Sequence, residues 1–365
     1  MVAIRTPSAG RHTVRAVVFV VLLVATVWIR GGYLARVVGG RYPLGAMLWD
    51  SAAMAILLLL VRGFDFCLDY TLRRLIGCGS RWHRIGRVTA HLAILMVVAF
   101  PFFFITIVLH PQRVANVYTP ANLRLEYQDV AFECEGMTMS GWFVPHGNPT
   151  TPVVLVAHGL NANKSNVLNA VDLAHNLGYA ALVFDFRGHG DSGGHTVTFG
   201  AVEWREVVAA GEWLRAHHPG RRVYALAYSM GAAAVIRAEA ERHLFDKIVL
   251  DSAFAEGQVV GRSVFLRPFG PFAGFLWHVG RFYAWLWTGV DYAEFNPGRY
   301  GRELARKPLM LIHGAADRMI PPTESQRLFE AAERRAVLWL NEGAGHVESL
   351  ESADYVTRVG RFLAE

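Results

Sequence analysis

A short apolar run, Val223 to Ala227, meets a helix-forming run, Gly231 to Arg242, across Tyr228-Ser229-Met230. A serine on a strand-to-helix turn, flanked by small residues, presents its hydroxyl as a nucleophile. Such a turn also restricts the fold. A strand that leads directly into a helix is one unit of an alternating pattern, and alternation of this kind gives a mostly parallel sheet with helices on both faces.

The rest of the C-terminal two thirds follows the same pattern. Leu123 to Phe132 and Met137 to Val144 alternate and are joined by Glu135-Gly136, which predicts a hairpin. Pro152 to Ala157 and Ala180 to Phe184 are continuous apolar runs, as expected of strands buried on both faces. Ile248 to Leu250, Leu309 to Ile312 and Val337 to Leu340 complete the strands. Helical spacing marks Asn163 to Leu177, Val202 to His217 and a last segment from about Val347 to Leu363. Ligands of such sheets bind beyond the C-terminal ends of the strands, and every chemically conspicuous residue of the chain follows one.

Ser229 is the candidate nucleophile. Gly231 supplies one small neighbour of the turn, and Ala227 stands where a second glycine is usual. His346, in Gly343-Ala344-Gly345-His346, is the candidate base, because an imidazole can take the serine proton and return it to a leaving group. Asp317, in His313-Gly314-Ala315-Ala316-Asp317, is the candidate acid that orients His346, with Asp251 as its competitor. The Met230 amide and the Leu160 amide are the candidate oxyanion donors, each worth about 3 kcal/mol in the transition state. His158 and Gly159 shape the loop that carries Leu160. The run Asp185 to Gly194 is rich in glycine, but it lacks the lysine and the spacing of a phosphate loop. It reads as a tight turn beneath the site, which leaves His189 and Ser192 outside the chemistry.

Together these segments resemble the α/β-hydrolase superfamily over roughly Leu123 to Glu365. The hairpin that ends Ser140-Gly141-Trp142-Phe143-Val144-Pro145 further resembles the membrane-anchored lysophospholipase-like and serine peptidase-like branch. The resemblance implies an α/β-hydrolase fold over 122–365, a helical lid insertion over about 254–305, and hydrolysis of ester, thioester or amide bonds through an acyl-serine. It implies neither metal nor cofactor. The insertion is strongly aromatic, with Phe265, Phe269, Phe272, Phe275, Trp277, Phe282, Tyr283, Trp285 and Trp287, which suits an apolar acyl chain or plain packing.

The N-terminal region differs. The chain has 365 residues, of which 53% are hydrophobic and only 18% charged, against roughly 25% charged in soluble domains. The apolar excess lies in Ala16 to Ile29, Leu44 to Val61 and Val88 to Leu109. A membrane span needs about 20 mainly apolar residues, so two or three transmembrane helices are expected within 1–115, the first being alternatively a signal peptide. Asp50 reads as a boundary residue of the second stretch. The arginines of Arg62 to Arg87 place that loop inside and the C-terminal domain outside. The net charge of +6 follows from those arginines and does not call for nucleic acid. Three cysteines, with Cys134 alone in the C-terminal region, make neither a disulfide framework nor a zinc site.

The expectation is therefore a multi-pass membrane protein with an extracytoplasmic serine hydrolase domain. Its substrate would be a small-molecule or lipid-like acyl ester, and its oligomeric state is open. A peptidase or acyltransferase with the same triad, and an inactive binding module, are the alternatives.

Overall fold

The computed structural model describes residues 81–94, 100–148, 150–270 and 273–365, with a few positions between 63 and 74. The chain divides into two compact units, Met1–Ala99 and Phe100–Glu365. The described helix of the first is α1, Arg81–Ile94. The second opens with α2, Phe100–Leu109.

The second unit is built on one sheet of eight strands. They are β1 (Gln128–Cys134), β2 (Met137–Val144), β3 (Val153–Ala157), β4 (Ala180–Phe184), β5 (Val223–Tyr228), β6 (Lys247–Asp251), β7 (Leu309–Gly314) and β8 (Val337–Asn341), in the spatial order β1-β2-β4-β3-β5-β6-β7-β8. The hairpin β1–β2 is antiparallel and β2 joins β4 antiparallel; every later pairing is parallel. Helices α3 (Leu168–Asn176), α4 (Trp204–His217), α5 (Met230–Arg242), α6 (Gly257–Phe269), α7 (Ala273–Thr288), α8 (Thr323–Ala331) and α9 (Ala353–Ala364) connect and cover the strands.

Burial on both faces explains the unbroken apolar runs. Val153, Leu155 and Ala157 of β3 join one apolar cluster with Val207 and Leu214 of α4 and Ile236 of α5. Val154 and Val156 face the opposite way, into a cluster with Val171 of α3 and Val359 and Leu363 of α9. Successive side chains of a strand point to opposite faces, so a strand covered twice has no place for a polar residue. A third cluster draws on α2, α6, α7 and Phe199.

From β3 the chain passes to β4 on one side and then to β5 on the other. The connections therefore diverge between β3 and β5, and a crevice opens at their C-terminal ends. The loop with Leu160 and the turn with Ser229 flank that crevice.

Several boundaries differ from the sequence expectation. Leu123 to Phe132 is not one strand: Pro120–Leu123 is a 3-10 turn ending in Arg124 with φ 60°, and β1 begins at Gln128. The last helix starts at Ala353, capped by the Ser352 side chain, rather than near Val347, which has φ 62°. Asn163 starts a 3-10 turn before α3, its side chain accepting from the Ser165 and Asn166 amides.

The membrane expectation is corrected. Among the described residues no helix is long and apolar enough to cross a membrane, so a multi-pass protein with an extracytoplasmic domain is not supported. The stretches Ala16 to Ile29 and Leu44 to Val61 lie outside the described residues. Of Val88 to Leu109, the C-terminal part forms α2, whose ten residues rise about 15 Å, half of a bilayer core. Its apolarity has another cause. Phe102, Ile105 and Leu109 are buried in the protein, where Phe102 meets Tyr283 edge-on at 5.3 Å between ring centres.

Candidate active site

Ser229 follows β5 directly and precedes the first residue of α5. Its φ of 50° and ψ of −113° are a conformation that costs a non-glycine residue of order 1–3 kcal/mol. The turn is held by the Ser229 amide, which donates to the Asp251 carbonyl at 2.8 Å, and by the Ser229 carbonyl, which accepts from Ala233. Gly231 makes the sharp turn possible. A Cβ there would stand 2.5 Å from the His158 carbonyl oxygen and 2.6 Å from that of Ala157. Ala227, in place of the usual glycine, is fully buried within the sheet.

The structure brings His346 and Asp317 to this serine. His346 Nε2 lies 3.0 Å from Ser229 Oγ, and His346 Nδ1 lies 2.7 Å from Asp317 Oδ2. The loops of the imidazole and the carboxylate are in backbone contact. A Cβ on Gly314 would stand 2.2 Å from the Gly345 carbonyl oxygen, and the Ala316 amide donates to Ala344. Beyond, Val347 donates to Ser252 Oγ at 3.0 Å.

Asp317 is aimed by its own turn, its Oδ1 accepting from the Met319 and Ile320 amides at 2.7 and 2.9 Å. His313 Nε2 stands 3.2 Å from Oδ2. Burial by itself would raise this carboxyl, but hydrogen bonds from His313 and His346 outweigh it and hold the group well below the ordinary carboxylate range. An ionised carboxylate on Nδ1 fixes the tautomer that leaves Nε2 free to accept a proton.

Asp251 has a different place from the one its competition with Asp317 suggested. It is fully buried behind the site and accepts from Ser252 Oγ at 3.0 Å, and its Oδ2 has no hydrogen-bond partner among the described residues. Burial pushes its carboxyl up to about 7, against the opposing pull of the Ser252 hydroxyl, His313 and His346. It makes no hydrogen bond to His346 among the described residues; Asp317 does.

On the other side of the crevice, Leu160 follows the His158-Gly159 turn. Among the described residues neither the Leu160 amide nor the Met230 amide is engaged by an acceptor, whereas the next amide, Asn161, donates to His189 Nε2. His158 is structural. It is buried, its Nε2 accepts from the Phe186 amide at 3.0 Å, and its Nδ1 lies 2.7 Å from the Gly159 carbonyl. Burial, with smaller effects from neighbouring charges, lowers its pKa to about 3, so this ring is neutral and serves as a fixed bridge beneath the loop.

The Asp185 to Gly194 run is the tight turn the sequence suggested. Asp185 accepts from the Lys164 amide and ammonium, at 2.7 and 2.6 Å, and from the Asp191 amide. Ser192 Oγ donates to the Asp185 carbonyl. Sequence reasoning missed three residues here. Lys164 is a fully buried cation whose ammonium also lies 4.7 Å from the Trp142 ring centre. Arg113 donates to the carbonyls of Gly190, Ser192 and Gly194. Asn116 donates to Asp185 and Asp191. Only an unmatched acid in a glycine-rich turn could have pointed to a buried partner, and nothing local identifies which residue it is.

The family model described as "Alpha/beta hydrolase family" matches residues 153–359. An uncharacterised protein of Mycobacterium tuberculosis is 28% identical over 245 residues, which are 65% of this chain and 79% of that protein. The lysophosphatidylserine lipase ABHD12 of Xenopus tropicalis is 27% identical over 204 residues, about half of each protein (52% and 49%). Among solved structures, the Pyrococcus furiosus esterase Pf2001 is similar at a TM-score of 0.59 with 28% identity, covering 70% of this chain and 98% of that one.

Proposed function

This chain belongs to the alpha/beta hydrolase family, and on that premise we propose that it is a serine hydrolase of carboxylic esters, with Ser229, His346 and Asp317 as its catalytic residues. The observation that carries the reading is the single imidazole that reaches Ser229 Oγ with one nitrogen and Asp317 with the other. The similarity to an esterase at 28% identity favours esters among the bonds such a triad can cleave.

The chemistry follows from that geometry. Ser229 Oγ attacks the ester carbonyl carbon while His346 Nε2 takes its proton. The carbonyl electron pair moves onto oxygen, and the Leu160 and Met230 amides stabilise the oxyanion. Collapse expels the alcohol, which takes the proton from His346 and leaves an acyl-serine. Water then repeats the sequence: His346 accepts its proton, and the carboxylic acid departs as Ser229 recovers its hydrogen. Asp317 keeps its charge throughout, orienting the ring and stabilising the imidazolium.

Labelling with a fluorophosphonate tests the reading. One adduct on Ser229 is expected, absent from Ser229→Ala. A folded wild-type protein that takes up no label on Ser229 would overturn it.

A further inference from the structure

β6 lies between β5, which carries Ser229, and β7, which leads to Asp317. β8, which leads to His346, ends the sheet and pairs with β7. Backbone ladders therefore set the serine and the acid directly against β6, whereas the imidazole arrives on a loop one strand further out. An edge strand is paired on one side, so the loop after it needs a further tie to hold His346 Nε2 at 3.0 Å from Ser229 Oγ.

The dipeptide Asp251-Ser252, where β6 ends, is bonded to all three segments. The Asp251 carbonyl accepts from the Ser229 amide at 2.8 Å, and the Ser252 amide donates to the Ile312 carbonyl of β7 at 2.9 Å. Those two bonds are backbone alone. The third uses a side chain. Ser252 Oγ accepts from the amide of Val347, the residue after His346, at 3.0 Å, and donates to Asp251 Oδ1 at 3.0 Å.

Both residues of the Val347 bond are strained. Ser252 has φ 53° and Val347 φ 62°, a region uncommon for a serine and a true outlier for a β-branched side chain. Such conformations persist where the surroundings hold them, and they collect at functional sites. Ser252 is fully buried. On the other side of His346 the Gly345 amide donates to the Glu348 carboxylate at 2.6 Å, but Glu348 is exposed, where water competes for the same bond. Asp317 and the close approach of Gly314 to Gly345 tie the imidazole to the acid. The Ser252 hydroxyl ties it to the dipeptide that holds the serine.

We propose that Ser252 is a positioning residue for the ester reaction: through the Val347 amide its hydroxyl sets His346 against Ser229. The inference rests on the triad reading and adds to it a residue that touches neither the substrate nor the reacting atoms. A misplacement of about 1 Å at a reacting centre lowers the rate on the order of a hundredfold.

The test uses the full chain and p-nitrophenyl acetate, with kcat taken per folded molecule. Ser252→Gly removes the hydroxyl and accepts the positive φ; Ser252→Ala removes the hydroxyl and keeps the strain, so the glycine variant should have the higher Tm. Both should lower kcat by the same factor, about tenfold to a hundredfold, with KM within about twofold of wild type. The turnover left in His346→Ala does not use the imidazole, so adding Ser252→Gly to it should change kcat less than about threefold. A fall of less than about tenfold in Ser252→Gly would overturn the proposal. So would a kcat that follows Tm from one variant to the other, or a fall of more than about threefold in the His346→Ala background, since either would make the hydroxyl a support of folding alone. If the wild-type Ser229 takes no fluorophosphonate, or His346→Ala turns over acetate as fast as wild type, the triad reading itself fails. If Ser229 is labelled and only the Ser252 variants behave as wild type, the triad stands without Ser252.

Discussion

At the rim of the sheet, Ser229, Asp317 and His346 are fixed by backbone: a turn with φ 50°, two amides on Asp317 Oδ1, and a Gly314 that lets one loop lie on another. Above it, α2, α6 and α7 meet through rings and aliphatic side chains, as where Phe102 lies against Tyr283 and Trp287. Hydrogen bonds to backbone set position closely because they are directional. Apolar packing contributes energy roughly in proportion to area and tolerates volume-conserving exchange. The rim thus holds a fixed geometry, and the roof tolerates changes in packing.

The largest expected effect comes from removing the proposed nucleophile at the rim. Ser229→Ala should lower turnover by about six orders of magnitude, or about 8 kcal/mol of barrier, by analogy with other serine triads. Circular dichroism should match wild type, since among the described residues the hydroxyl makes no hydrogen bond beyond that to His346. Substantial ester turnover by the purified variant would show that the rim does not hold the reacting group.

Asp317→Asn comes next, with an expected fall of about four orders of magnitude in kcat, roughly 5 kcal/mol. The amide can keep the Met319 and Ile320 bonds through Oδ1 and yet present the wrong partner to His346 Nδ1. A loss of stability without a specific fall in kcat would assign Asp317 to the scaffold instead.

The same contrast governs what the sequence discloses. Ser229, Asp317 and His346 are legible because each stands in a short glycine-containing turn after an apolar run, and the turn geometry is written locally. The buried strands are legible for a similar reason: a strand covered on both faces has to be apolar at every position, as Ala180 to Phe184 are. α2 is not legible. An apolar decamer seated among aromatic helices has the same composition as part of a membrane span, and only its partners, Tyr283 and Trp287 some 180 residues away, separate the two. Lys164 is hidden likewise, because a lysine reads as surface until the buried Asp185 that neutralises it is known.

The roof is tested by Phe102→Ala. Removing a buried ring should cost about 3 kcal/mol, read as a lower urea midpoint. The adduct at Ser229 should still form in the folded fraction, because no backbone bond at the rim depends on that ring. Loss of the adduct together with a native far-ultraviolet spectrum would mean that roof and rim are one unit.

The smallest expected effect probes Asp251, a carboxylate behind the rim that, among the described residues, accepts no backbone hydrogen bond. Asp251 is fully buried, its Oδ2 is unpaired among the described residues, and burial raises its carboxyl to about 7. An acid whose folded pKa lies above its unfolded value of about 3.9 binds its proton more tightly in the native state. Its contribution is therefore fully present below about pH 4 and is lost as pH rises through about 7. Asp251→Asn keeps the Ser252 bond and cannot ionise, so the fall in Tm between pH 4 and 7 should flatten. At pH 8 the variant should be the more stable by roughly 1–2 kcal/mol, since its amide replaces a buried charge but lacks a partner of its own. A wild-type Tm that does not decline across that interval, or a variant that declines in parallel, would mean that Asp251 ionises freely and that the rim behind Ser229 is as well satisfied as the turn that holds Asp317.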